Sequence, residues 1–217
     1  MSAPTLIIGN KNYSSWSLRP WLAMKQLGIA FQEVRVPLYG PGYKEELLRY
    51  SPSGKVPSLL DGATRVWDSL AILEYLAETH RGLWPAAPAA RAVARSVSAE
   101  MHSGFAALRQ NMPMNVRKRL PGKGHTADAL ADVARVKAVW SDCRARFNGS
   151  GPFLFGRFSA ADAMYAPVVL RFRTYEVALP APCRAYADAV LALAPMGEWI
   201  DAAERETESL TQFELYG

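Results

Sequence analysis

The stretch GKVPSLLDGATRVWDSLAILEYL, Gly54 to Leu76, decides the architecture of the chain. Val56–Leu60 and Arg65–Trp67 read as two short strands, and the Asp61-Gly62 pair between them is a strong hairpin signal. From Ala71 to His80 apolar residues return at helical spacing. Asp68-Ser69 stands where such a helix opens, so the Ser69 hydroxyl and the nearby N–H groups can seize a carboxylate, unless the pair serves only as an N-cap. Pro57 stands at the opening of the first of these strands, a place where a cis peptide bond often turns the backbone sharply. That turn would expose the N–H and C=O of Val56 to an extended, peptide-like ligand.

Toward the N-terminus, Thr5–Gly9 is a short apolar run suited to a buried strand. Leu18–Leu27 has helical spacing, with Ser17 as its expected N-cap and Gly28 as its stop. Phe31–Leu38 alternates as a strand does, and Tyr43–Tyr50 is a short helical segment. The order βαβαββα combines a parallel crossover with an antiparallel hairpin. It predicts a mixed four-stranded sheet flanked by helices. Residues 81–90 (RGLWPAAPAA) read as a linker, and beyond them the pattern is helical at about 89–118, 127–147, 159–175, 181–194 and 196–207. Pro121, Gly122 and Gly124 break the first pair, and Pro180, Pro182 and Pro195 mark the later boundaries. The expected plan is an α+β domain over residues 1–80, the linker, and an all-α domain over 91–217.

Composition narrows the function classes. The chain has 217 residues, 50% hydrophobic, enough for two modest cores. No apolar run approaches the ~20 residues that cross a bilayer, so no membrane partner is expected. The start lacks a basic n-region, which argues against a signal peptide. Cys143 and Cys183 lack CxxC spacing, so no metal cluster or redox pair is expected and a reduced, cytoplasmic setting fits best. Residues 86–146 carry eleven Lys/Arg against four Asp/Glu, whereas residues 147–217 carry five against nine. A basic middle third suits an acidic small molecule or simply solvated helix faces. Its positives are dispersed apart from Arg117-Lys118-Arg119, and no RNA-binding motif or zinc finger is present, so nucleic acid is not an expected partner.

Two further motifs carry chemistry or folding. The loop Asn12-Tyr13-Ser14-Ser15-Trp16-Ser17-Leu18-Arg19-Pro20 places three serine hydroxyls at a helix N-terminus, where unpaired N–H groups and the helix dipole favour an anion. A thiol held there ionises more easily; the plain alternative is a capping serine with turn filler. Phe158-Ser159-Ala160-Ala161-Asp162 has the hydroxyl-then-acid spacing of a capping box with an apolar staple, and its expected role is folding.

Taken in this order, the serine loop, Val56-Pro57, Asp68-Ser69 and the helical second half resemble the cytosolic glutathione transferase family, with its thioredoxin-like N-terminal domain. Ser14-Ser15-Trp16-Ser17-Leu18-Arg19 looks most like the Ser-Ser-Cys-Ser-x-Arg signature of the zeta class. The resemblance implies glutathione as cosubstrate, with no metal. Val56 and Pro57 would hold its backbone, and Asp68 and Ser69 its γ-glutamyl carboxylate. It implies that Ser14 or Ser15, with Tyr13 as a third possible donor, gives a hydrogen bond to the sulfur. A drop of about two units from the ordinary thiol value near ~8.5 corresponds to roughly 2.7 kcal/mol. The thiolate would then attack a small electrophile between the domains of a homodimer. A glutathione-transferase fold kept only for ligand carriage is the alternative. Trp16 stands where isomerising zeta proteins carry Cys, which argues against maleylacetoacetate isomerisation. The zeta pattern also has an Arg for an acidic substrate in the helix after the capping box. Ungapped alignment puts Thr174 there, with Arg171 and Arg173 close by. Trp16, Met112, Met114 and the segment Tyr165–Tyr175 are candidates for lining the electrophile site.

Overall fold

The computed structural model describes residues 3–147, 149 and 151–216, so the expected outer limits at residues 1 and 217 lie outside the described residues. Its first part runs Thr5–Ile8 (β1), Ser15–Gln26 (α1), Gln32–Arg35 (β2), Tyr43–Tyr50 (α2), Ser58–Asp61 (β3), Thr64–Trp67 (β4) and Ser69–Thr79 (α3). The four strands form one sheet in the order β2-β1-β3-β4. β1 runs parallel to β2, with Thr5 opposite Gln32, and antiparallel to β3, with Leu6 opposite Leu59. β3 and β4 close the expected hairpin with Asp61 opposite Thr64, and Gly62 takes the positive φ of 58° that the tight turn requires. This is the mixed sheet of a thioredoxin-like domain. β2 stops at Arg35, earlier than its alternating pattern suggested: the Val36 N–H still donates to the Ile8 carbonyl, but β1 ends at Ile8 and the Leu38 N–H turns to the Asn10 side chain.

The helical part follows as Pro88–Ser103 (α4), Ala106–Asn111 (α5), Ala127–Phe147 (α6), Ala160–Thr174 (α7), Ala181–Leu191 (α8) and Ala194–Arg205 (α9), with a 3₁₀ turn at Thr211–Phe213. One helix over 89–118 was expected, and the chain breaks instead at Gly104 and Phe105, where Phe105 takes φ 59°. The break removes the N–H donors that would have met the carbonyls of Met101 and His102, and the Arg109 guanidinium donates to both. Among the described residues, no helix is long and apolar enough to cross a membrane.

α7 runs through the middle of this part with nearly every residue buried. Its first turn is fixed by the predicted capping box: Asp162 accepts from the Ser159 N–H at 2.8 Å, the Ser159 hydroxyl at 2.9 Å and the Leu154 N–H at 3.1 Å. α1 packs against α7, and Trp21 of α1 meets Trp199 of α9 edge-on at 5.1 Å. Leu18 and Leu22 therefore share one continuous core with Met164, Val168 and Trp199. The two helices joined by this contact supply Ser15 and Trp16 (α1) and Arg171 (α7) to the cleft between the two parts.

Candidate active site

A cleft of about 870 Å³ opens between the sheet and the helices. All six residues singled out in the sequence, Ser14, Ser15, Val56, Pro57, Asp68 and Ser69, line it together. They come from three different chain segments, each at the start of an element.

α1 begins three residues before the periodic run, at Ser15, and its N-cap is Ser14, not Ser17. The Ser17 hydroxyl is turned inward, where it accepts from the Gly9 N–H at 3.0 Å and lies 2.7 Å from Ser14 Oγ. Ser14 Oγ also accepts from the Ser17 N–H at 3.4 Å. Ser15, one residue on, accepts from the Arg171 guanidinium at 3.3 Å. Tyr13 has its ring in the cleft wall, but its hydroxyl points the other way. It donates its proton to Glu214 at 2.5 Å and accepts from Arg117 at 3.0 Å.

The Val56–Pro57 peptide bond is cis. Asp68 is the N-cap of α3 at φ 79°, ψ 136°, a backbone conformation that is costly for a side-chain-bearing residue. One of its oxygens accepts from the Leu70 and Ala71 N–H groups at 2.8 and 3.2 Å. The other lies 3.2 Å from His102 Nε2. Burial, with Arg19 and Arg109 nearby, holds the His102 imidazole below its ordinary value despite the carboxylate. Ser69 is fully buried and accepts from Arg19 at 3.3 Å.

The floor is cationic. Arg19 and Arg109 both stack on Trp16, with 4.3 and 4.8 Å between guanidinium carbon and ring centre. Arg171 donates to the Met112 carbonyl and to Ser15. Burial, then Arg109 and Arg171, pushes the Arg19 guanidinium down to about 9. Burial and then Arg109 push Arg171 down to about 10. All three stay charged at neutral pH, with Asp68 facing Arg19 and Asp132 facing Arg109 as the nearby acids. Such a floor favours a further anion. Among the described residues, no group of His, Cys, Asp or Glu could hold a metal ion.

Of the candidates for the electrophile wall, Trp16 and Met114 line the cleft. Met112 is core, Tyr165 bonds the Val97 carbonyl, Phe172 packs on Trp140, and Tyr175 bonds the Pro113 carbonyl. Thr174 bonds the carbonyls of Asn115 and Leu170, and it is Arg171, one turn earlier, that reaches the cleft. Arg109 and Phe213 also line it, and the sequence reading missed both. Arg109 was one of the dispersed positives of residues 86–146, and spacing alone did not separate it from the others.

The family model described as glutathione S-transferase, N-terminal domain, matches residues 13–79, and that described as glutathione S-transferase, C-terminal domain, matches residues 62–215. The chain belongs to the glutathione S-transferase family. It is 38% identical over 115 residues to maleylacetoacetate isomerase of Rattus norvegicus, covering 50% of this chain and 51% of that one. With the maleylacetoacetate isomerase of Rhizobium meliloti it shares 41% identity over 88 residues, 39% of this chain and 41% of the relative. The chain thus spans about half the length, or less, of the curated relatives it matches. Among solved structures, the theta class glutathione S-transferase of Xanthomonas axonopodis pv. citri with glutathione bound is 25% identical, with a TM-score of 0.66 over 92% of this chain and 98% of that one. A diazinon-metabolizing glutathione S-transferase of Bombyx mori shares the fold, with a TM-score of 0.74 at 16% identity over 95% of this chain and 100% of that one.

Proposed function

We propose that the chain is a glutathione transferase in which Ser14 donates its hydroxyl proton to the glutathione sulfur. The thiolate then attacks a small electrophile that carries a carboxylate. The observation that carries this reading is the position of Ser14, at the N-terminus of α1, facing the cleft, with Ser17 behind it. Either hydroxyl of the Ser14–Ser17 pair can be the donor; with the Ser17 proton given to Ser14 Oγ, the Ser14 proton is free for sulfur. Helix dipole, one hydroxyl and the nearby Arg171 charge together can supply the roughly 2.7 kcal/mol that a two-unit drop in thiol pKa requires. Ser15, already accepting from Arg171, is the second donor to test.

Glutathione would lie along the cleft with its cysteinyl backbone at Val56, its γ-glutamyl carboxylate at Ser69 and the start of α3, and its ammonium at Asp68. The second substrate would lie over Trp16, its carboxylate between Arg109 and Arg171. Transfer forms an S–C bond and expels the electrophile's leaving group, or adds across an activated double bond. The thiol proton passes to solvent before attack. The two isomerases named above make a maleyl-type acid a necessary member of the assay panel, while Trp16 in the place of cysteine favours transfer over isomerisation. Homodimerisation belongs to the same reading, as the family resemblance implies.

The test is retention on immobilised glutathione together with thiolate absorbance of the bound cosubstrate against pH. The wild-type complex is expected to titrate about two units below free glutathione. Ser14→Ala should return most of that shift while glutathione is still retained. Retention with no thiolate at neutral pH in the wild type would indicate a carrier instead of an enzyme.

A further inference from the structure

The tail after α9 takes no part in the chemistry proposed above, yet it is bonded to the loop that performs it. Glu206, its side chain 7% exposed, accepts the Lys11 N–H on one carboxylate oxygen at 2.7 Å and the Asn12 N–H on the other at 3.0 Å. The turn they belong to closes on itself through the Tyr13 and Ser14 N–H groups, which both donate to the Asn10 carbonyl. The Lys11 and Asn12 donors face away from that closure, and Asn12 is fully buried. Leaving such donors without an acceptor is costly, and a carboxylate satisfies both at once. An amide offers one oxygen and sets an NH₂ group against the second donor.

A second tether runs from the same tail. Arg117 donates to the carbonyls of Glu206 and Glu208 and, at 3.0 Å, to the Tyr13 hydroxyl. Glu214 accepts from that hydroxyl and, at 3.0 Å, from the Asn115 amide.

We infer that Glu206 is a positioning residue for the thiol-activating loop: by holding the Lys11 and Asn12 N–H groups it fixes where Ser14 presents its hydroxyl. This role rests on the serine activation proposed above. Glu206 touches neither cleft nor substrate and acts two residues away through the backbone.

The experiment is the thiolate titration of bound glutathione in the wild type, Glu206→Gln, Glu214→Gln and Glu208→Gln. Glu206→Gln should raise the bound thiol pKa by about one unit, a tenfold loss of thiolate below both values. Its glutathione affinity, measured at low pH where the thiol is protonated throughout, should stay within about threefold. Glu214→Gln should give a smaller rise in the same direction, and it carries the test if Glu206→Gln does not fold. Glu208→Gln weakens the partly exposed pair with Arg35 at 2.8 Å but leaves the Glu206 bonds to the Lys11 and Asn12 N–H groups in place, and should titrate as the wild type does. A depressed wild-type pKa that neither Glu206→Gln nor Glu214→Gln moves overturns the positioning role alone. So does a loss of affinity with the thiol pKa unchanged. A wild-type pKa equal to that of free glutathione overturns serine activation, and the positioning role with it.

Discussion

Trp16, the two guanidinium groups over it and the nearby Arg171 show what single residues contribute. A tryptophan offers two π faces, and here Arg19 occupies one neighbourhood of the ring and Arg109 another, while His102 meets it edge-on at 5.3 Å. A cysteine in that place could hold no such cluster. Arg171 adds the charge nearest Ser15. Replacing Arg171 by Lys keeps the charge but loses the planar fork that can meet a carboxylate on two N–H groups. The KM for a carboxylate-bearing electrophile should rise about tenfold, or ~1.4 kcal/mol, while that for a neutral halonitroarene changes little. Steady-state kinetics on the two substrates checks this; equal changes would contradict the assignment. A serine-rich helix start was legible in the sequence because capping is local chemistry, but which serine caps was not, since Ser17 fits the pattern and Ser14 holds the place. Arg171 was not separable from Thr174 because both lie on one face of α7, and depth along a helix is set by what packs on it. Thr174 is taken by the Asn115 carbonyl, which leaves Arg171 as the residue that reaches the cleft.

Among the elements, α7 depends most on one capping motif. Asp162 is fully buried, and its three donors favour the carboxylate, yet burial outweighs them and holds the carboxyl up at about 6. Replacing Asp162 by Ala removes the box and leaves the Ser159 and Leu154 N–H groups unmet, a loss of about 2–3 kcal/mol. The urea midpoint should fall accordingly, while glutathione affinity of the folded fraction is unchanged. The pH dependence has a definite sign. The folded carboxyl keeps its proton up to about pH 6, whereas in the unfolded chain it releases it near 3.8. Between these values the folded state binds more protons, so this residue's contribution is complete below the lower value and lost as pH rises through the upper one. The loss is about 3 kcal/mol. The wild type minus Asp162→Asn difference in unfolding free energy should therefore shrink from pH 4 to pH 7; a difference independent of pH would contradict it. This capping box, the hairpin and α2 were readable from spacing alone. The start of α1 was not, because Ser17 has the right chemistry for a cap but spends its hydroxyl on Gly9 and Ser14. The break after α4 escaped notice because Gly104-Phe105 lies within an otherwise helical, alanine-rich run.

At the scale of the whole molecule, the sheet domain and the helices share a core through α1 against α7 and Trp21 against Trp199. Urea unfolding followed by tryptophan fluorescence and by far-UV circular dichroism should therefore give coincident single transitions. Glutathione at one hundred times its Kd should move that joint transition by about 2.7 kcal/mol. Separate transitions would show that the two parts fold independently. The division into a mixed sheet and a helical half was legible because strand and helix periods differ, and because Asp61-Gly62 marks the hairpin. The cleft between them was legible only as residue types, since α5 and the tail that complete it hold their places through long-range bonds. The account turns on where the cosubstrate sulfur comes to rest, and a crystal structure with glutathione bound measures that directly. The sulfur should lie within about 3.5 Å of Ser14 Oγ, with the γ-glutamyl carboxylate at Ser69. A sulfur beyond hydrogen-bond reach of both Ser14 and Ser15 would contradict serine activation of the thiol.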